Sequence, residues 1–143
     1  MHIDHAALVA LRQHLISAYP AEGCGLLIGS ADPDGDTVVQ RHSPVRNSRL
    51  GDGGGHHRYS IPPGDFLSVE RDAGASGFQV VGVYHSHPNV SARPSSYDQE
   101  HAWPWYRYLI VSIFTGVVRD QRVWGLTDDR DHFVEEVLYI KES

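Results

Sequence analysis

The run Phe78–Tyr84 constrains this chain more than any other segment. It is uncharged and rich in β-branched valines, which fit a pleated backbone better than a helix, so it predicts a strand. Other segments carry a different period. Leu8, Leu11, Leu15 and Ala18 recur at helical steps, predicting a helix over residues 4–18 with Asp4 as N-cap and Pro20 as the stop. Phe66, Val69 and Ala73 do the same over Pro62–Ala73, with prolines suited to a first turn. A short helix is expected over Ser95–Trp103, with Ser95 as its N-cap. Cys24–Gly29, Thr37–Arg41, Tyr106–Phe114, Val118–Thr127 and His132–Ile140 read as further strands, the first two joined by a turn over Asp32–Asp36. Residues 49–57, with four glycines, read as a surface loop. There is no repeat and no second hydrophobic unit, so one domain over residues 1–143 is expected.

Composition removes several function classes. A formal net charge of −6 offers no basic face for a phosphate backbone, so a nucleic-acid binder is not expected. One cysteine cannot build a disulfide scaffold or a cysteine-based structural zinc site. No apolar run approaches the ~20 residues a membrane helix needs. The residues after Met1 lack the basic and apolar regions of a signal peptide, which makes a cytoplasmic protein the expectation. Ten histidines are the one compositional oddity.

Two of those histidines fall where chemistry needs them. His85 and His87 follow the Phe78–Tyr84 strand two residues apart, a spacing that turns both imidazoles to one face. Asp98 comes eleven residues after His87, in the first turn of the proposed helix, and Pro88 and Pro94 allow the chain to fold back. Two nitrogens, one carboxylate and an open fourth position describe a catalytic zinc site. Such an ion makes hydroxide available near neutral pH. Glu22, at the junction before the Cys24–Gly29 strand, is the candidate acid/base that is not itself a ligand. Ser95 stands one helical turn before Asp98 and could donate to an oxyanion. Each residue also has a plain reading. The histidines could simply end a strand, Asp98 could favour a helix dipole, Ser95 could be only an N-cap, and Glu22 could be a solvated carboxylate.

The set Glu22, His85-Ser86-His87-Pro88 and Ser95-Ser96-Tyr97-Asp98 resembles the JAMM (MPN+) zinc metalloprotease family, compact prokaryotic branch, over nearly the whole chain. The resemblance implies an α/β fold with a mixed central β-sheet flanked by helices, of the cytidine-deaminase-like JAMM/MPN type. It implies one catalytic Zn2+ held by His85, His87 and Asp98, Glu22 as acid/base and Ser95 assisting the oxyanion. It further implies hydrolysis of a peptide or isopeptide bond at the tail of a ubiquitin-like or sulfur-carrier protein, in one known case releasing cysteine. Only seven residues separate Asp98 from Tyr106, which leaves no room for a dedicated ubiquitin-gripping insertion.

Rival readings are a general small-peptide or cell-wall peptidase or amidase, and a non-catalytic interaction module, which would be expected to have lost ligands. A zinc nucleobase deaminase needs Pro-Cys-x-x-Cys, and one cysteine excludes it. Tyr59 is a guess for lining a substrate groove, with packing as its plainer reading. Cys24 reads as a small buried hydrophobe, His56-His57 as a hydrated pair and His101 as a residue near but outside the metal. Trp103, Trp105 and Trp124 read as core or edge packing. A monomer and a homodimer are both compatible with the sequence.

Overall fold

The computed structural model describes residues 1–32, 35–48 and 59–142. Its elements run β1 (His2–Asp4), α1 (His5–Ala18), β2 (Cys24–Ala31), β3 (Thr37–Val45), α2 (Pro63–Ala75), β4 (Gln79–Pro88), α3 (Ser96–His101), β5 (Arg107–Phe114), β6 (Val117–Leu126), β7 (Phe133–Glu136) and β8 (Tyr139–Lys141). The eight strands form one sheet in the order β7-β6-β5-β4-β2-β3-β1-β8. β4 is central. It pairs antiparallel with β2 and parallel with β5, and α3 lies in the crossover between β4 and β5.

The helical period of the first segment has the expected result. Leu8, Leu11 and Leu15 of α1 are buried against Leu27, Val81, Leu109, Val111 and Val123 on one face of the sheet. Asp4 caps α1 by accepting from the Ala7 N–H. The opposite face is covered by α2, whose Phe66 and Val69 pack on Leu26, Val80, Val83 and Tyr108. The mixed α/β architecture with helices on both faces is therefore as the sequence suggested.

Four elements differ from expectation. β3, expected to end at Arg41, runs on to Val45. β1 has only three residues, and its parallel partners Val38 and Tyr139 lie far away in sequence, so no local period announces it. The segment expected as one strand over His132–Ile140 is two, β7 on one edge of the sheet and β8 on the other. β4 does not stop at Tyr84 but continues through the His-Ser-His-Pro run, because β5 supplies ladder partners as far as Pro88 and β2 as far as His85. Residues 33–34 of the expected turn, the glycine-rich segment 49–57 and the pair His56-His57 lie outside the described residues.

One glycine is demanded by packing near the site. Gly25 pairs with Tyr84 across β2 and β4, and the Tyr84 ring lies over it to reach His14 Nδ1 of α1 at 2.8 Å. A Cβ at Gly25 would collide with the Tyr84 ring. Gly25→Ala should cost about 1–3 kcal/mol through overpacking, read as a lower denaturant midpoint with an unchanged slope. An unchanged midpoint would mean that the ring has another place to go.

Candidate metal centre

β4 sends His85 and His87 to the same face, as strand alternation requires, and both are buried. Residues 89–94 then double back. Three successive carbonyls in this stretch each accept a side-chain donor: Val90 from Ser112 Oγ, Ser91 from His87 Nδ1 and Ala92 from Trp124 Nε1. Those bonds deliver the start of α3 to the histidines. There Ser95 and Asp98 form a capping box, Ser95 Oγ accepting from the Asp98 N–H and Asp98 Oδ2 accepting from the Ser95 N–H. The cap fixes the Asp98 carboxylate against both imidazoles.

The resulting distances are short and nearly equal. His85 Nε2 is 3.3 Å from His87 Nε2 and 3.3 Å from Asp98 Oδ1, and His87 Nε2 is 3.1 Å from Asp98 Oδ2. A tetrahedral zinc with bonds of about 2.0–2.1 Å has ligand atoms about 3.3 Å apart, so the pair of imidazole nitrogens fits such an ion in size, and each Asp98 oxygen stands at that range from one of them. His87 Nδ1–H donates to the Ser91 carbonyl at 2.8 Å, so in the neutral ring the Nε2 lone pair faces the centre, and in the charged ring Nε2–H donates to Asp98. His85 Nδ1 is buried without a hydrogen-bond partner among the described residues. The Tyr59 ring stacks on His85 with centroids 4.4 Å apart.

Glu22 reaches the same centre from the other side of β4. Its carboxylate and the two imidazole nitrogens lie within 4.8 Å of one another, a group of three buried residues able to hold a metal ion. It nevertheless makes no hydrogen bond or ion pair with either histidine among the described residues, whereas Asp98 contacts both. The residue is 4% exposed.

The two carboxylates are tuned in opposite directions. Burial raises the Glu22 pKa, and the nearby histidines only partly offset this. Burial also works against an ionised Asp98, but His85, the hydrogen bonds from both histidines and the Ser95 N–H together hold it well below the usual carboxylate range. His87 is desolvated too, yet its bond to Asp98 raises its pKa overall. Cys24 sits opposite His85 in the β2–β4 ladder, and burial followed by the Glu22 charge pushes its thiol up to about 12, so it behaves as a packed hydrophobe.

His101 does not enter the centre. It stacks on Tyr97 at 4.0 Å, and its Nδ1 lies 2.9 Å from the Tyr97 carbonyl. A cavity of ≈510 Å3 opens beside the centre, lined among others by Tyr59, Tyr97, Phe66, Trp103 and Trp105. Of the three tryptophans read as core or edge packing, Trp124 packs inside. Trp103 and Trp105 are 49% and 65% exposed, stacked on each other, with Arg130 over Trp103. Nothing local in the sequence marks them as cavity walls. The proline between them is the one hint that they leave the helical path.

His85 and His87 on the central strand and Asp98 at the start of α3 thus meet at one centre. Residues 4–125 match the family described as prokaryotic homologs of the JAB domain, and the chain belongs to that family. It is 40% identical over 94 residues to the desampylase of Haloferax volcanii, a match covering 65% of this chain and 63% of that protein, so it spans less than two thirds of the relative. A protein from Salinibacter ruber has a solution structure with a TM-score of 0.76 at 36% identity, covering 99% of this chain and 92% of that one. A protein from Desulfitobacterium hafniense gives 0.85 at 29% identity, covering 100% and 94%. A JAB1/MPN domain protein from Archaeoglobus fulgidus, 23% identical, shares the fold with a TM-score of 0.62, covering 98% of each chain. No helix among the described residues is long and apolar enough to cross a membrane.

Proposed function

We propose that this chain is a zinc-dependent isopeptidase or peptidase acting at the C-terminal tail of a ubiquitin-like or sulfur-carrier protein, with one domain over residues 1–143. The observation that carries the reading is the set of 3.1–3.3 Å separations among His85, His87 and Asp98, with the buried Glu22 carboxylate within 4.8 Å of the imidazole nitrogens. The desampylase relative supports the substrate class, since such an enzyme removes a ubiquitin-like protein from its conjugates.

In this reading His85 Nε2, His87 Nε2 and an Asp98 oxygen would hold the ion. When bound, zinc supplies a Lewis acid for the scissile carbonyl and activates water near neutral pH. Glu22 takes the proton of the attacking water on its carboxylate and passes it to the departing amine. A carboxylate whose pKa is raised by burial suits both halves of that transfer. The Ser95 hydroxyl already accepts from Asp98 N–H, and its own proton remains available for the oxyanion. The stacked Tyr59 ring shields one side of His85 from water, and the cavity beside it gives the substrate a concave apolar wall.

A substrate panel tests the proposal. It contains a ubiquitin-like protein joined to a lysine, a sulfur carrier extended by a C-terminal cysteine, and short peptides of the same tail sequence. The carrier-linked substrates should show kcat/KM at least about 100-fold above the peptides, a difference of about 2.7 kcal/mol from contacts beyond the tail. Equal rates on the peptides would replace this reading with a general small-peptide or cell-wall peptidase. No cleavage of any substrate by zinc-loaded protein would favour an interaction module.

A further inference from the structure

We propose that Asn47 and Ser86 are positioning residues that grip the Glu22–Gly23 peptide from its two edges and so set where the Glu22 carboxylate stands. This rests on the reading of Glu22 as the proton carrier.

Residues 21–23 lie between α1 and β2, outside both elements, so no regular ladder holds this stretch. Its peptide groups are nonetheless buried and need partners. Asn47 Nδ2 donates to the Glu22 carbonyl at 2.9 Å, and the Gly23 N–H donates to Ser86 Oγ at 2.9 Å. These are the oxygen and the hydrogen of one peptide unit, each met by a buried side chain. The Ser86 N–H in turn donates to the Gly23 carbonyl at 3.1 Å. Gly23 is pressed against α1, where a Cβ would meet Ala18 and Leu15 at 3.0 Å, so the peptide has little freedom to shift.

Both clamps connect to the metal centre. Ser86 lies between His85 and His87, and strand alternation turns it to the opposite face. One strand therefore presents the two imidazoles on one side and holds the backbone of Glu22 on the other. The Asn47 amide has a defined orientation, because its Oδ1 accepts from the Ser60 N–H at 3.1 Å while its Nδ2 serves the Glu22 carbonyl. Ser60 follows Tyr59, the residue stacked on His85.

The experiment uses the zinc-loaded full chain and a carrier-linked substrate. Asn47→Ala and Ser86→Ala should each lower kcat about 10- to 100-fold, since displacement of a reacting group by about 1 Å has that scale of effect. KM should stay within about twofold, and bound zinc should be unchanged. Ser86→Thr restores the acceptor oxygen and should recover kcat to within about threefold. In a Glu22→Gln background neither alanine variant should lower the residual rate further, because both act through the missing carboxylate. Exchange of the Gly23 amide hydrogen should accelerate at least about tenfold in Ser86→Ala, a readout independent of turnover.

Unchanged kcat in Asn47→Ala and Ser86→Ala, or an equal loss in the Glu22→Gln background, would overturn the inference. So would a loss of zinc that matches the loss of rate. If Ser86→Ala does not fold, Asn47→Ala and Ser86→Thr decide the matter alone. Full turnover in Glu22→Gln would overturn the role of Glu22 and this inference with it. Lost turnover in Glu22→Gln beside an unaffected Asn47→Ala would overturn the inference only.

Discussion

Glu22→Gln should retain its zinc and lose about 10²–10⁴-fold in kcat. That range is what a positioned proton carrier contributes. The glutamine keeps the volume of the side chain and removes only its ability to accept a proton. Zinc should remain because Asp98 contacts both imidazole nitrogens, whereas among the described residues Glu22 only approaches them within 4.8 Å. The stability should move the other way from the activity. Burial raises the Glu22 pKa, which means that the ionised carboxylate is the costly form at neutral pH. A neutral amide removes that cost, so the melting temperature of the metal-free variant should equal or exceed the parent's. Turnover, bound metal and thermal melting on one preparation test all three statements. A Glu22→Gln protein without zinc would move Glu22 into the ligand set and leave the proton transfer to another group.

Asp98→Ala should fail differently, losing metal and activity together. Removing even an outer hydrogen-bond partner of a metal ligand costs about 10–100-fold in affinity, and removal of a ligand should exceed that. The carboxylate has a second task, since its Oδ2 closes the capping box with Ser95, and a lost cap costs about 1 kcal/mol. Two consequences can be separated by melting curves. The parent should melt higher with zinc than without it, because ligand bound only to the native state stabilises by mass action. Asp98→Ala should lose that difference, and its metal-free form should also melt lower than the metal-free parent. A variant that still takes up one zinc per chain after dialysis would remove Asp98 from the ligands.

Much of this was legible because it is local. The α1 leucines carry a helical period, Ser95 and Asp98 stand at capping-box spacing, and His85 and His87 share a face because strands alternate. What stayed hidden depends on partners distant in the chain. β1 exists only through Val38 and Tyr139. The polar His-Ser-His-Pro run looks like the end of a strand until β5 is seen paired along all of it. Asn47 has no periodicity and no motif, and its significance comes from Glu22 on one side and Ser60 on the other. The stacked pair Trp103 and Trp105 reads from the sequence as core or edge packing and lines a cavity, because composition reports that an aromatic ring needs cover and not where it finds it.

The three tied carbonyls between Pro88 and Ser95 have one more consequence. They make the stretch joining the second imidazole to the aspartate a strut of fixed length, anchored to β4, β5 and β6 at once. A residue added or removed there would unseat Asp98. Beyond α3 the backbone before β5 is tied to its surroundings mainly through Trp103 N–H to Tyr108 Oη, and it borders the cavity. Chain growth at that point leaves the strut intact while reshaping the wall that a substrate meets, so a lineage could vary its choice of target by lengthening one segment while the chemistry stays as it is.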